Sequence, residues 1–336
     1  MAELIRANLL SPIVLAFALG VVAKLIRSEF TLPKDLYVAL SIYLLFAIGL
    51  KGGVELSQTP LSAFWLPAVA TLAVGVLTPV LSYIALRQLG RFSVADSAGI
   101  AAHYGSVSAV TFIAAQEFVA AAGTPAEGFL PTLLTLLEAP GIHVALAIGV
   151  VQASRARAAA PASSARAVVH SEHAHWSETL RAVLTGRTMV LLVGGLIIGV
   201  LIGERGWEPV RPFFEGGFRG ALTIFLLEMG LLAAERLGDL RRVGAFLLGF
   251  GTLMPLVNGA VGVALGHWAG LSPGGAAVLG TMAASASYIA APPAVRLALP
   301  EANPTYYLTL ALGVTFPFNL IVGIPAYHQM ALWLAR

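Results

Sequence analysis

Ten apolar stretches run along this chain, at roughly 8–26, 36–50, 62–86, 95–121, 127–152, 188–203, 217–234, 240–267, 274–295 and 305–334. A helix needs about 17–25 mainly apolar residues to cross about 30 Å of hydrocarbon. The pattern therefore predicts an all-α polytopic membrane protein with ten transmembrane helices. Composition points the same way: 58% of the residues are hydrophobic and 11% charged, against about 45–50% and about 25% in soluble domains. The 35 glycines and 19 prolines would break soluble helices but are tolerated in membrane ones. With no Cys in the chain, disulfides, thiolate metal sites and Cys nucleophiles are excluded. The first stretch resembles a signal peptide, but Glu3 and the lack of a clean small-x-small site predict that it stays as the first span.

The only long polar segment, Ser154 to Glu178, lies between the fifth and sixth stretches. Rich in Ala, Ser, Arg and His, it reads as a flexible linker, and its His170, His173 and His175 read as solvated. The chain divides into an N-terminal repeat (1–152), a linker (153–186) and a C-terminal repeat (187–336). Three weak matches recur in the same order. Ile48-Gly49-Leu50 reads against Met229-Gly230-Leu231, Gly105-Ser106-Val107-Ser108 against Ala284-Ser285-Ala286-Ser287, and Glu138-Ala139-Pro140 against Thr315-Phe316-Pro317. Five spans per half is odd, so the second copy enters from the opposite side, giving an inverted-topology repeat as in many secondary transporters.

Charge placement sets an orientation. Loops on the side of the termini hold Arg6, Lys51, Arg205, Arg211, Arg219 and Arg336, and the opposite side holds the other fourteen of the 20 Lys and Arg. The positive-inside rule then places both termini outside and the linker in the cytoplasm.

Two spans carry polar residues where a plain span would carry Leu and Val. The fourth has His103-Tyr104-Gly105-Ser106-Val107-Ser108 with Thr111 one turn on, and the ninth has Ser285-Ala286-Ser287-Tyr288 before Pro292-Pro293. A helix broken at the midplane exposes free N–H groups at the start of its second half, and its positive dipole end holds an anion without a basic side chain. Two facing breaks predict a small polar pocket. The bland alternative is close packing by small residues. Glu138 and Glu228 lie inside spans, where a carboxylate is costly and functional by default. Glu138 reads as a cation-site residue, whereas a protonated, packed Glu228 is an equal alternative. Asn258 and Asn319 offer carbonyl oxygens suited to a hard cation such as sodium, with helix–helix hydrogen bonding as the alternative. His103, His143 and His267 read as packing residues, and Gly195, Gly199 and Gly203 as a tight helix contact. No Walker loop, HExxH, nucleophile elbow or dinucleotide fingerprint is present. A pump and an enzyme are thereby disfavoured, and nothing suggests nucleic acid.

Ser285-Ala-Ser-Tyr-Ile-Ala-Ala-Pro, Arg296-Leu-Ala-Leu-Pro-Glu-Ala-Asn-Pro, Gly313-Val-Thr-Phe-Pro-Phe-Asn and Gly323-Ile-Pro resemble the sodium-dependent bicarbonate transporter family (SbtA type). The resemblance implies two inverted five-helix repeats, a core domain of spans 3–5 and 8–10, a gate domain of spans 1, 2, 6 and 7, a homotrimer and elevator-like motion. It implies a multi-pass protein of the bacterial inner (plasma) membrane carrying bicarbonate with sodium as co-substrate. By motif match the anion site comprises Tyr104, Gly105, Ser106, Ser285, Ala286 and Ser287, and the sodium site Ser108, Glu138, Thr315 and Asn319. His103 and Tyr104 stand where smaller or apolar residues are expected, and Glu138 where an Asp is expected. A PII-like regulatory protein docks on the cytoplasmic face of some members. Competing readings are a carrier of another small anion, proton coupling through Glu138, and a channel or signal receptor with vestigial transport.

Overall fold

The computed structural model describes residues 9–158 and 178–336, over which the chain is helical and contains no strand. Most of the expected linker, with His170, His173 and His175, lies outside the described residues. The first half comprises α1 (Pro12–Leu25), α2 (Lys34–Gln58), α3 (Leu61–Ile84), α4 (Val94–Gly105), α5 (Ala109–Ala121), α6 (Leu130–Glu138) and α7 (Pro140–Ala158). The second comprises α8 (Arg187–Trp207), α9 (Phe218–Leu237), α10 (Ala245–Trp268), α11 (Pro273–Ala284), α12 (Ala291–Ala298), α13 (Pro304–Leu308) and α14 (Ile324–Leu334). π-helical turns at Thr309–Thr315 and Asn319–Gly323 carry α13 into α14.

Eight helical segments are long and apolar enough to cross a membrane. They are α2, α3, α4 with α5, α6 with α7, α8, α9, α10, and α13 through α14. The first and ninth stretches fall short of the ten expected. α1 has 14 residues, about 21 Å at 1.5 Å per residue. The ninth is divided into α11 and α12, of 12 and 8 residues. The second runs on past its apolar end at residue 50 to Gln58, and Lys51 in that extension pairs with Glu215 at 2.7 Å.

Helix starts follow local chemistry. Ser93 accepts from the Asp96 N–H at the head of α4, and Ser272 accepts from the Gly275 N–H at the head of α11, where Pro273 occupies the first turn and lacks the N–H that would go unpaired. Glu127 adds a carboxylate oxygen 2.6 Å from the Ser272 N–H, placing negative charge at the positive end of α11.

Two helix pairs pack by backbone approach. α8 lies on α2, where a Cβ at Gly53 would stand 2.1 Å from the Leu196 carbonyl oxygen and one at Gly199 2.2 Å from that of Leu50. α9 lies on α1, where a Cβ at Gly230 would stand 2.1 Å from the Phe17 carbonyl oxygen. Gly195 and Gly199 thus form the close contact expected of them. Gly203 does not: with φ 55° it sits at a kink in α8, and nothing lies against it. The most apolar 18 residues of α4 and α5 are all buried, whereas those of α8 are 17% buried. The polar residues of α4 and α5 are therefore enclosed by protein, and α8 has a face left for lipid.

Candidate ion and anion site

α4 ends at Gly105 and α5 begins at Ala109, while α11 ends at Ala284 and α12 begins at Ala291. The two gaps cross and hold each other through hydrogen bonds. The Ser108 N–H donates to Ser285 Oγ at 2.9 Å, and the Ser287 N–H donates to the His103 carbonyl at 2.8 Å. Ser285 Oγ in turn donates to the Met282 carbonyl at 2.8 Å, and Ser106 Oγ donates to the Glu138 carbonyl at 3.2 Å. The Ser-x-Ser runs thus use their hydroxyls to satisfy backbone groups that a helix break leaves open. Gly105 meets Gly141 of α7 so closely that a Cβ on Gly141 would fall 1.8 Å from the Gly105 carbonyl oxygen. That approach brings the end of α6, and with it Glu138, to the crossing.

Glu138 is 2% exposed, and its Oε2 has no hydrogen-bond partner. It lines a small cavity together with Leu45, Val107, Ser108, Ala109, Thr188, Ser287, Tyr288 and Ile289. The free volume there is about 10 Å³, room for one water-sized particle. No basic side chain lines it. An ionised carboxylate in such a place is costly without a counter-charge, so the chamber favours a single cation or a proton. Ser108 caps α5, accepting from the Thr111 N–H at 3.3 Å, and the remaining first-turn N–H groups of α5 face the break with the positive dipole end. α12 is a poorer donor than expected. Its Ala290 N–H is taken by Ser287 Oγ at 3.3 Å, and Pro292 and Pro293 have no N–H to give.

Two larger cavities flank the chamber. On the linker side, about 390 Å³ is lined by Glu138, Thr188 and Ile289, shared with the chamber, and by Ala182, Val183, Gly186, Arg187, Met189, Ala290 and Pro293. On the opposite side, about 690 Å³ is lined by Lys51, Glu55, Gln116, Glu117, Glu127, Glu215 and Arg219 among others. There Arg219 of α9 pairs with Glu117 of α5 at 2.8 Å. Leu45 lines the chamber while Ile48, one turn on along α2, lines the cavity on the opposite side, and both are buried. The chamber therefore shares walls with the linker-side cavity and is separated from the other by an apolar layer.

Of the expected site residues, Ser108, Glu138 and Ser287 come together around the chamber, with Ser106 and Ser285 bonded directly to its frame and Gly105 and Ala286 buried beside them. Tyr104, Thr315 and Asn319 lie elsewhere. The Tyr104 hydroxyl donates to Thr315 Oγ1 at 2.5 Å, which donates to the Gly251 carbonyl at 2.8 Å. Asn319 donates from Nδ2 to the Ala284 carbonyl at 2.8 Å and accepts from the Tyr327 hydroxyl at 2.9 Å. These bonds tie the last span to α4, α10 and α11. Buried polar groups must find partners, and here they find protein, so the expected four-residue sodium set is divided between the chamber and a packing network. His103 is likewise a packing residue: it donates from Nδ1 to the Gly99 carbonyl and stacks on Tyr307 at 4.3 Å. Asn258 is fully buried with neither polar atom partnered. Tyr288, part of the polar run of the ninth span, joins the chamber, as does Thr188, which the sequence did not single out. Tyr288 follows the second Ser-x-Ser directly, but Thr188 sits at the start of a plain apolar helix and carries no local signal.

A sequence model described as the Na+-dependent bicarbonate transporter superfamily matches residues 12–332, nearly the whole chain. No curated protein matches it.

Proposed function

From the premise that the chain belongs to the Na+-dependent bicarbonate transporter superfamily, we propose that it takes up bicarbonate coupled to sodium as a secondary active carrier. The observation that carries this reading is Glu138, whose unpartnered oxygen faces a one-particle chamber at the crossing of two helix breaks. Sodium bound there, with Ser108 and Ser287 oxygens at hand, supplies the positive charge that no basic side chain provides. Bicarbonate then sits against that cation and the amino end of α5. A hard cation selects such oxygen ligands, and burying the ion beside a carboxylate lowers the desolvation cost of both.

We read the architecture as two inverted five-helix repeats, 1–152 and 187–336, joined by a cytoplasmic linker. The matching capped starts of α4 and α11, each followed by a break after 12 residues, support this. So does the pairing of α1 with α9 and of α2 with α8, which exchange under such a symmetry. The glycine-packed pairs form the gate, and α3 to α7 with α10 to α14 form the core that moves as an elevator. Of the two larger cavities, the chamber shares walls with the linker-side one, which fits an inward-facing state with both termini outside. A homotrimer in the bacterial inner membrane follows from the family resemblance, as does docking of a PII-like regulator on the linker face.

The test is uptake of labelled bicarbonate into proteoliposomes with and without a sodium gradient. Sodium-driven accumulation is expected. Accumulation driven by a proton gradient alone would transfer Glu138 to proton coupling, and movement only down the bicarbonate gradient would make the protein a channel.

A further inference from the structure

The linker-side cavity has a feature that the crossing site does not use. Gly186, Arg187, Thr188 and Met189, the N-cap and first three residues of α8, all line it. No side chain caps this helix start, so the first-turn N–H groups of α8, which runs on to its kink at Gly203, are left open beside the cavity at the positive dipole end. Arg187 adds a guanidinium that forms no ion pair among the described residues. At the deep end of the same cavity stands Glu138, 2% exposed with an unpartnered oxygen. Anion donors and a cation acceptor thus share one space, and its volume of about 390 Å³ holds roughly a dozen waters at about 30 Å³ each.

We propose that the amino end of α8, with Arg187 and Thr188, is a second subsite for a small oxyanion on the linker face. It receives bicarbonate as it leaves the crossing site, still beside the cation on Glu138. The inference rests on the transport reading for the identity of the anion. A bare Glu138 carboxylate repels an anion in this cavity, so the subsite fills only while a cation occupies Glu138. The fork of Arg187 matches the planar oxygens of bicarbonate. The subsite is thus selective for the ion pair over either ion.

The test uses sealed vesicles of both orientations holding the full chain, with labelled sodium bicarbonate applied to one face at a time. Arg187→Gln is expected to raise the half-saturating bicarbonate concentration at the linker face about tenfold. At the other face it should change less than about twofold. Arg187→Lys keeps the charge but loses the fork, so a rise of about threefold at the linker face is expected, and it serves if the Gln variant fails to insert. In parallel, bicarbonate should protect purified wild type against heat more weakly in choline than in sodium, and Arg187→Gln should lose most of the sodium-dependent part. An unchanged linker-face value, or an equal rise at both faces, overturns the subsite. Wild type that moves no bicarbonate at either face overturns the transport reading instead.

Discussion

Glu138→Gln removes one charge and almost no volume from the chamber. The carboxylate is 2% exposed and lacks a partner for Oε2, so no neighbouring salt bridge shares its work. Breaking a buried charge pair by deleting one partner costs about 3–5 kcal/mol, and about 1.4 kcal/mol is tenfold in an equilibrium constant. Taking the lower figure, because a bound sodium keeps the Ser108 and Ser287 oxygens, the sodium concentration for half-maximal uptake should rise roughly a hundredfold. The assay is initial bicarbonate uptake in proteoliposomes against sodium concentration. Protein amount and monodispersity are matched to wild type, since an amide is easier to bury than a carboxylate and folding should hold or improve. Glu138→Asp should fall between, because the charge remains but retracts by one methylene. An unchanged sodium curve in Glu138→Gln would refute the reasoning, as no other carboxylate lines the chamber.

Ser287→Leu should abolish uptake with insertion intact, because the side chain enters a space of about 10 Å³; normal uptake in a monodisperse variant would put the anion site elsewhere. Gly230→Ala places a methyl 2.1 Å from the Phe17 carbonyl oxygen, and overpacking of this kind costs about 1–3 kcal/mol. A clear drop in detergent melting temperature is expected, and an unchanged melt would mean that α1 and α9 separate freely. A single Cys at Glu178 in this Cys-free chain should react with impermeant thiol reagents only after cells are opened, and one at Glu208 should react from outside; the reverse pattern would invert the topology.

The sequence by itself determined the solvent, the class of fold and the two places where it breaks. Apolar length settles membrane spanning because hydrocarbon offers the backbone no partners, and that holds whatever packs against what. Gly105-Ser106-Val107-Ser108 and Ser285-Ala286-Ser287 announced breaks because hydroxyls at such positions serve open backbone groups. Glu138 stood out because a lone carboxylate in a span is expensive. Only the tertiary structure decided which oxygens share a space. Thr315 and Asn319 offer side-chain oxygens to a cation as Ser108 does, yet they turn to Gly251, Ala284 and Tyr104 or Tyr327, while Ser108 turns to the chamber. Arg187 and Thr188 come from the start of another helix, 49 and 50 residues beyond Glu138 in number, and share a cavity with it in a fold where Gly53 and Gly199 let α8 lie on α2 at backbone distance. Hydrogen-bond partners are chosen by proximity across helices, and a one-dimensional pattern records which groups need partners but not which they meet.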